Sequence, residues 1–115
     1  MEVNYRKTGD AVVLEIDGAI DLYNAPELKE NLSKYLEKKK MVIDMGNVTY
    51  IDSSGIGVFI STLSALKKSG GALKLVHVGG TVLTVLKMTR LTSFFEIFEN
   101  EKDALSSFDL VKELV

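Results

Sequence analysis

The chain has 115 residues, 46% of them hydrophobic, and this length is typical of one domain with its own core, so residues 1–115 are interpreted as a single domain. A net charge of −2 with only two arginines argues against nucleic-acid binding, and the run Lys38-Lys39-Lys40 fits a solvated helix end. The absence of cysteine excludes disulfides, thiol catalysis and most structural zinc sites. No segment approaches the roughly twenty apolar residues of a membrane span, and the N-terminus has no signal-peptide pattern, so we expect a cytoplasmic protein without membrane contact.

The first third of the chain predicts a β-hairpin followed by a helix. Two apolar-rich runs, 3–7 and 11–16, flank a turn at Gly9-Asp10. A helix is predicted to begin at Asn24, with Asn24 as the N-cap, Pro26 in the first turn and Glu27 completing a capping box. The apolar residues that share one face of this helix are Leu28, Leu32, Tyr35 and Leu36.

The middle of the chain predicts an internal strand and then a long helix. The run 41–45 is apolar except for Asp44, as expected for a strand covered on both faces. A helix of about four turns is predicted from Ser54 to the Ser69-Gly70-Gly71 terminator. Its apolar residues recur at spacings of three and four: Ile56, Phe59, Ile60, Leu63 and Leu66.

The last third predicts a strand at 72–78, a helix from Gly79-Gly80-Thr81 through Met88, a short strand near 95–98 and a final helix from 101 to 114. The apolar positions of the final helix are Ala104, Leu105, Phe108, Val111 and Leu114. This order of elements predicts an α/β fold. Its mixed, mostly parallel sheet combines the N-terminal hairpin with alternating strands and helices, and the helices pack against it.

The segment Asp52-Ser53-Ser54-Gly55-Ile56-Gly57 opens the long helix and places two hydroxyls at its start. A helix start offers unpaired N–H groups and the positive end of the macrodipole, so a phosphate on either serine would meet donors already aimed at it. Gly55 and Gly57 lack Cβ atoms and are expected to keep the surface low for the approach of another protein. The same residues also fit an ordinary N-cap, and this alternative stays open.

The runs Val42-Ile43-Asp44 and 51–57 together resemble the signature of the STAS family, the sulfate transporter and anti-sigma factor antagonist domains. The similarity continues through 15–21, 89–91 and 95–98, so it covers nearly the whole chain. Within the family the chain is similar to the small, freestanding anti-sigma factor antagonists. One departure is Arg90, where family members often carry glycine, and it leaves the geometry of that turn open.

The resemblance implies a binding protein that is switched by phosphorylation. Ser54 matches the phosphorylated second serine of the family motif. The unphosphorylated protein would bind an anti-sigma factor with ATP-dependent serine kinase activity and free the sigma factor, and a serine phosphatase would reset Ser54. The residues expected around the phosphorylation site and the partner are Asp21, Asp52, Ser53, Gly55, Ile56, Gly57, Val82 and Leu83. We expect no cofactor, no metal and no catalytic residue.

Several alternatives remain open from the residues alone. Asp21 also fits an ordinary loop acid, since aspartate favours turns. A serine hydrolase is disfavoured because the nucleophile-elbow glycine is missing and the single histidine, His77, lies inside a predicted strand. His77 is expected to be a core residue or a strand-end residue. The Gly79-Gly80-Thr81 segment matches no complete nucleotide-binding loop. A STAS subunit of a stress-signalling scaffold or of a lipid-transport complex is the alternative function, because fold does not fix the partner.

Overall fold

The computed structural model describes the backbone of residues 1–114 and the side chains up to Phe108, so the predicted apolar positions Val111 and Leu114 lie outside the described side chains. The strands are β1 (Glu2–Thr8), β2 (Ala11–Ile20), β3 (Lys40–Asp44), β4 (Val48–Ile51), β5 (Ala72–Val76) and β6 (Glu96–Phe98). The helices are α1 (Ala25–Ser33), α2 (Ser53–Lys68), α3 (Gly80–Met88) and α4 (Glu101–Leu114). Among the helices of residues 1–114, none is both long enough and apolar enough to cross a bilayer.

The strands form a mixed sheet in the order β1-β2-β3-β5-β6. β1 and β2 form the predicted antiparallel hairpin, and the remaining pairs are parallel. The ten-residue strand β2 pairs with β3 along its first half and with β4 along its last residues, where Ile20 lies opposite Ile51. The predicted α/β class and the mostly parallel sheet are confirmed.

Helices cover both faces of the sheet. Alternate residues of β2 point to opposite faces, so Val12 and Leu14 join the larger apolar cluster while Val13 joins a smaller one. The larger cluster contains buried residues of α1, α2 and α3, and the smaller one contains Ala104 and Phe108 of α4. Because β3 contributes to both clusters, its continuous apolar run is explained by burial on both sides.

The structure differs from the sequence prediction at three places. β4 is a separate four-residue strand, and the sequence pattern does not predict a strand between β3 and the long helix. β5 ends at Val76 rather than at residue 78, because His77 has a φ of 57° and this left-handed conformation cannot continue a strand. The first helix ends at Ser33, so Tyr35 and Leu36 lie beyond it, although both still pack against the larger apolar cluster. The Tyr35 ring also packs against the ring of Tyr5, with the centroids 5.0 Å apart.

α2 and α3 end in the same hydrogen-bonded motif. At the end of α2 the Gly71 N–H donates to the Leu66 carbonyl at 2.7 Å, and Gly70 has a φ of 82°. At the end of α3 the Leu91 N–H donates to the Leu86 carbonyl at 2.8 Å, and Arg90 has a φ of 60°. In both cases a backbone N–H donates to the carbonyl five residues earlier, and the residue just before the donor has a left-handed backbone. This arrangement is the Schellman motif, which favours glycine at the left-handed position. Arg90 therefore adopts the backbone conformation that a glycine would take at this turn.

Replacing Arg90 with glycine is expected to raise the free energy of unfolding by up to about 1 kcal/mol, since a side chain in the left-handed region costs about that much. Urea denaturation measures the change. The matched control is Arg90→Ala, which removes the same exposed side chain but keeps the Cβ, and should bring no gain. An equal gain from both variants would trace the effect to the arginine side chain and contradict the backbone explanation.

Candidate functional site

Helix α2 begins with a cap supplied by Asp52. This residue has an extended backbone, and its Oδ1 accepts hydrogen bonds from the Ser54 N–H at 2.9 Å and the Gly55 N–H at 3.4 Å. Two of the N–H groups that a helix start leaves unpaired are therefore occupied. This corrects the expectation that a phosphate would find free donors at Ser54, because Asp52 already holds two of them.

The second oxygen of the Asp52 carboxylate bonds to a different segment. Oδ2 accepts a hydrogen bond from the Leu22 N–H at 3.2 Å, and the Asp52 N–H donates to the Ile20 carbonyl at 3.2 Å. One residue thus connects the start of α2 to the loop that follows β2. The two loops adjoin because Ile20 and Ile51 are partners at the ends of parallel strands.

Asp21 and Asn24 close the loop after β2. The Asp21 Oδ1 accepts from the N–H groups of Tyr23 at 2.9 Å and Asn24 at 3.1 Å. The Asn24 amide accepts from the Asp21 N–H at 2.9 Å and donates to the Ala19 carbonyl at 2.8 Å.

Asn24 does stand at the N-cap of α1, but its side chain makes no capping bond, so the predicted capping box is wrong. Asp21 is a turn residue in the loop that contacts Asp52.

The closed loop exposes two large apolar side chains. Leu22 is 65% exposed and Tyr23 is 92% exposed. Neither residue was among the predicted site residues, although two large apolar residues between Asp21 and Asn24, in a segment of turn-forming residues, were a usable signal. Tyr50 of β4 is also exposed. Exposed apolar groups of this size are typical of contact surfaces when they cluster.

The two serines lie in the first turn of α2. Ser53 is exposed and Ser54 is half-buried. Within the described part of the chain, no hydrogen bond involves either hydroxyl. Modification of either hydroxyl would therefore break no internal hydrogen bond.

Gly55 and Gly57 have opposite environments. A Cβ on Gly55 would overlap the Ile20 side chain and lie 2.9 Å from Ile51 Cγ1, so Gly55 allows α2 to pack against these strands. A Cβ on Gly57 would meet nothing within 4 Å, and Gly57 is exposed. The expectation that Gly55 keeps the surface low is wrong because it faces the core. Gly57 keeps the outer surface of the helix low, and Ile56 between them is buried.

The predicted contact residues of α3 also have different environments. Val82 is 2% exposed and belongs to the core, so its side chain is not available to a partner. Leu83 is half-buried and stays a candidate. Helix α3 packs against β4, the strand that leads into the serine motif.

His77 lies at the end of β5, which agrees with one of the two structural positions expected for it. Its Nδ1 is 2.9 Å from Asp44 Oδ1 at the end of β3, and the same carboxylate oxygen accepts from the Gly46 N–H. Asp44 thus stabilises the turn between β3 and β4 and holds the exposed histidine.

The serine motif lies in a part of the chain that matches a known protein family. Residues 2–104 match the STAS domain. The chain belongs to the STAS family. It is similar to an anti-sigma-B factor antagonist of Bacillus subtilis, with 33% identity over 98 residues that cover 84% of this chain and 90% of the relative.

Solved STAS structures have the same fold. A Thermotoga maritima protein described as a candidate anti-sigma factor antagonist superposes with a TM-score of 0.85 at 26% identity, covering 91% of this chain and 92% of that one. The anti-sigma factor antagonist SpoIIAA shares the fold at lower identity. Its unphosphorylated form has a TM-score of 0.70 and 15% identity, covering 96% of this chain and 98% of SpoIIAA. Its phosphorylated form has a TM-score of 0.69 and 17% identity, covering 93% and 99%.

The two glycines give a matched test of the site geometry. Gly55→Ala is expected to lower the free energy of unfolding by about 1–3 kcal/mol, because its methyl group overpacks the contact with Ile20 and Ile51. Gly57→Ala is expected to raise it by about 0.5–1 kcal/mol, because alanine is the better helix former and the site is open. Thermal and urea denaturation measure both. Equal stability of the two variants would contradict the inward orientation of Gly55.

Proposed function

We propose that this STAS protein is an anti-sigma factor antagonist whose binding is switched by phosphorylation of Ser54. The observation that carries the proposal is a pair of unbonded serine hydroxyls at the start of α2, next to a loop that exposes Leu22 and Tyr23. A hydroxyl beside an apolar surface suits a binding site that is regulated by phosphorylation, because the added negative charge would weaken binding of a partner to that surface. The relatives named anti-sigma-B factor antagonist support the antagonist part of this proposal.

The choice of Ser54 over Ser53 rests on the family motif, in which the second serine is modified. The position of Ser54 also suits this role, since the Asp52 cap holds its N–H and thereby fixes the backbone that presents the hydroxyl. A kinase gains from a target that is held in one orientation, because less freedom is lost on reaching the reactive geometry.

The modification changes charge at a defined point. Transfer of the γ-phosphoryl group from ATP to the Ser54 Oγ forms the phosphate ester, releases the hydroxyl proton and leaves ADP. The ester adds about 1.5 to 2 negative charges next to the Asp52 carboxylate. When a partner binds the surface that fits the unmodified protein, the phosphate is repelled by nearby negative charge and loses its bound water, and together these effects cost several kcal/mol of binding free energy. A cost of about 1.4 kcal/mol corresponds to a tenfold loss of affinity.

The proposal names two classes of partner. The first is an anti-sigma factor that is also an ATP-dependent serine kinase, and the second is a serine phosphatase that removes the phosphate. The protein acts by binding, and the kinase supplies the catalytic groups. Release of the sigma factor follows from sequestration of the anti-sigma factor.

The test uses a purified serine-kinase anti-sigma factor from the same organism. With labelled ATP we expect one phosphate per chain on the wild-type protein and on Ser53→Ala, and none on Ser54→Ala. Both alanine variants should bind the anti-sigma factor within a few-fold of the wild type, because neither hydroxyl makes an internal bond. The phosphorylated protein should bind at least about a hundredfold more weakly.

Peptide mapping by mass spectrometry locates the phosphate. A phosphate found on Ser53, or persistent labelling of Ser54→Ala, would contradict the assignment of the residue. Equal binding of the phosphorylated and unphosphorylated proteins would contradict the switch itself.

A further inference from the structure

We propose that Asp52 couples the chemical state of Ser54 to the position of the loop after β2. In the unmodified protein its two carboxylate oxygens join the start of α2 to Leu22, and phosphorylation of Ser54 breaks this connection. The biological role of this coupling rests on the proposed function. The hydrogen bonds of Asp52 from which it is inferred do not depend on any partner.

The two oxygens have separate roles. Oδ1 accepts from the N–H groups of Ser54 and Gly55, and Oδ2 accepts from the N–H of Leu22. The remaining side-chain bonds of the loop, made by Asp21 and Asn24, stay within residues 19–24. In the described part of the chain, Asp52 therefore supplies the side-chain bond that ties this loop to α2.

The loop held in this way carries the most exposed apolar side chains next to the serines. Leu22 directly contacts Asp52 through its backbone, and Tyr23 follows it with 92% exposure. Neither side chain is fixed by burial, so their position depends on how the backbone is held. Asp52 is accordingly a positioning residue for this surface.

A phosphate on Ser54 competes with Asp52 for the same donors. The phosphate oxygens belong to the residue whose N–H now donates to Oδ1, and phosphates bind first-turn N–H groups of helices well. The phosphate also repels the carboxylate at close range. When the carboxylate turns away, it gives up the bond to Leu22 together with the bonds to α2. Phosphorylation would therefore release the loop as well as add charge.

Two substitutions separate this coupling from a general effect of charge. Asp52→Asn keeps an oxygen that caps α2, since asparagine is as good an N-cap as aspartate, but replaces the other oxygen with an amide donor that cannot accept from Leu22. Asp21→Asn removes one negative charge from the same loop but keeps the oxygen that accepts from Tyr23 and Asn24. It is the matched control for loop exchange.

The measurement is hydrogen exchange of the Leu22 backbone amide by NMR in the full-length protein. We expect exchange at least about tenfold faster in Asp52→Asn than in the wild type, and a wild-type rate in Asp21→Asn. Asp52→Ser, which caps with one oxygen, should exchange like Asp52→Asn. A protein with phosphoserine incorporated at position 54 during translation should show the same increase without any substitution at Asp52.

The outcomes distinguish this proposal from the proposed function. Unchanged Leu22 exchange in the phosphorylated protein, or equal exchange in Asp52→Asn and Asp21→Asn, overturns the coupling even if phosphorylation abolishes partner binding. Faster Leu22 exchange on phosphorylation supports the coupling even if no anti-sigma factor binds, in which case only the proposed function fails.

Discussion

The arrangement of the site depends on how the first N–H groups of α2 are satisfied. A helix that begins directly after a strand leaves N–H groups without partners, and here a single carboxylate, Asp52, satisfies two of them. Because the first turn of α2 contains no other acidic residue, Asp52 is also the only negative side chain that the helix itself places at its positive end. The position of both serines follows from this cap.

The strand topology explains why one carboxylate reaches two loops. β2 is long enough to pair with β3 along residues 11–15 and with β4 along residues 18–20, with a shift of register between Gly18 and Ala19. β2 and β4 are parallel, so the segments that leave them start at the same edge, with Ile20 opposite Ile51. Gly55 completes the arrangement, since only a residue without a side chain lets α2 lie this close to both isoleucines.

Local signals in the sequence were enough for most elements but not for the contacts between them. The turn at Gly9-Asp10, the apolar spacing after Ser54 and the Ser69-Gly70-Gly71 terminator each act within a few residues, and those elements were predicted. β4 was missed because four residues after Gly46-Asn47 give too short a pattern, and the strand exists through its pairing with the end of β2. The capping box failed because the Asn24 amide bonds to Asp21 and Ala19, a preference that the pattern of residue types does not encode.

The inward orientation of Gly55 could have been predicted from the helical period. Gly55 precedes Phe59 by four residues and so shares its buried face, which the helical period alone indicates. A glycine on that face serves packing, whereas Gly57 lies two residues further on, toward solvent. The motif therefore contains two glycines with different physical roles, one for the core and one for the surface.

If Ser54 is phosphorylated as proposed, the capping geometry would let α2 stay intact despite the added charge. The dipole of α2 favours an anion at its start, and this holds for a carboxylate and for a phosphate alike. The unmodified and modified states would then differ in which anion holds the Ser54 and Gly55 N–H groups, while α2 stays capped in both. Since the Asp52 carboxylate has a second bond, to the Leu22 N–H, that a phosphate on Ser54 would not replace, the proposed coupling would place the difference between the two states on the Leu22 loop. Under this proposal a chemical change within α2 would alter the neighbouring surface without a rearrangement of the sheet.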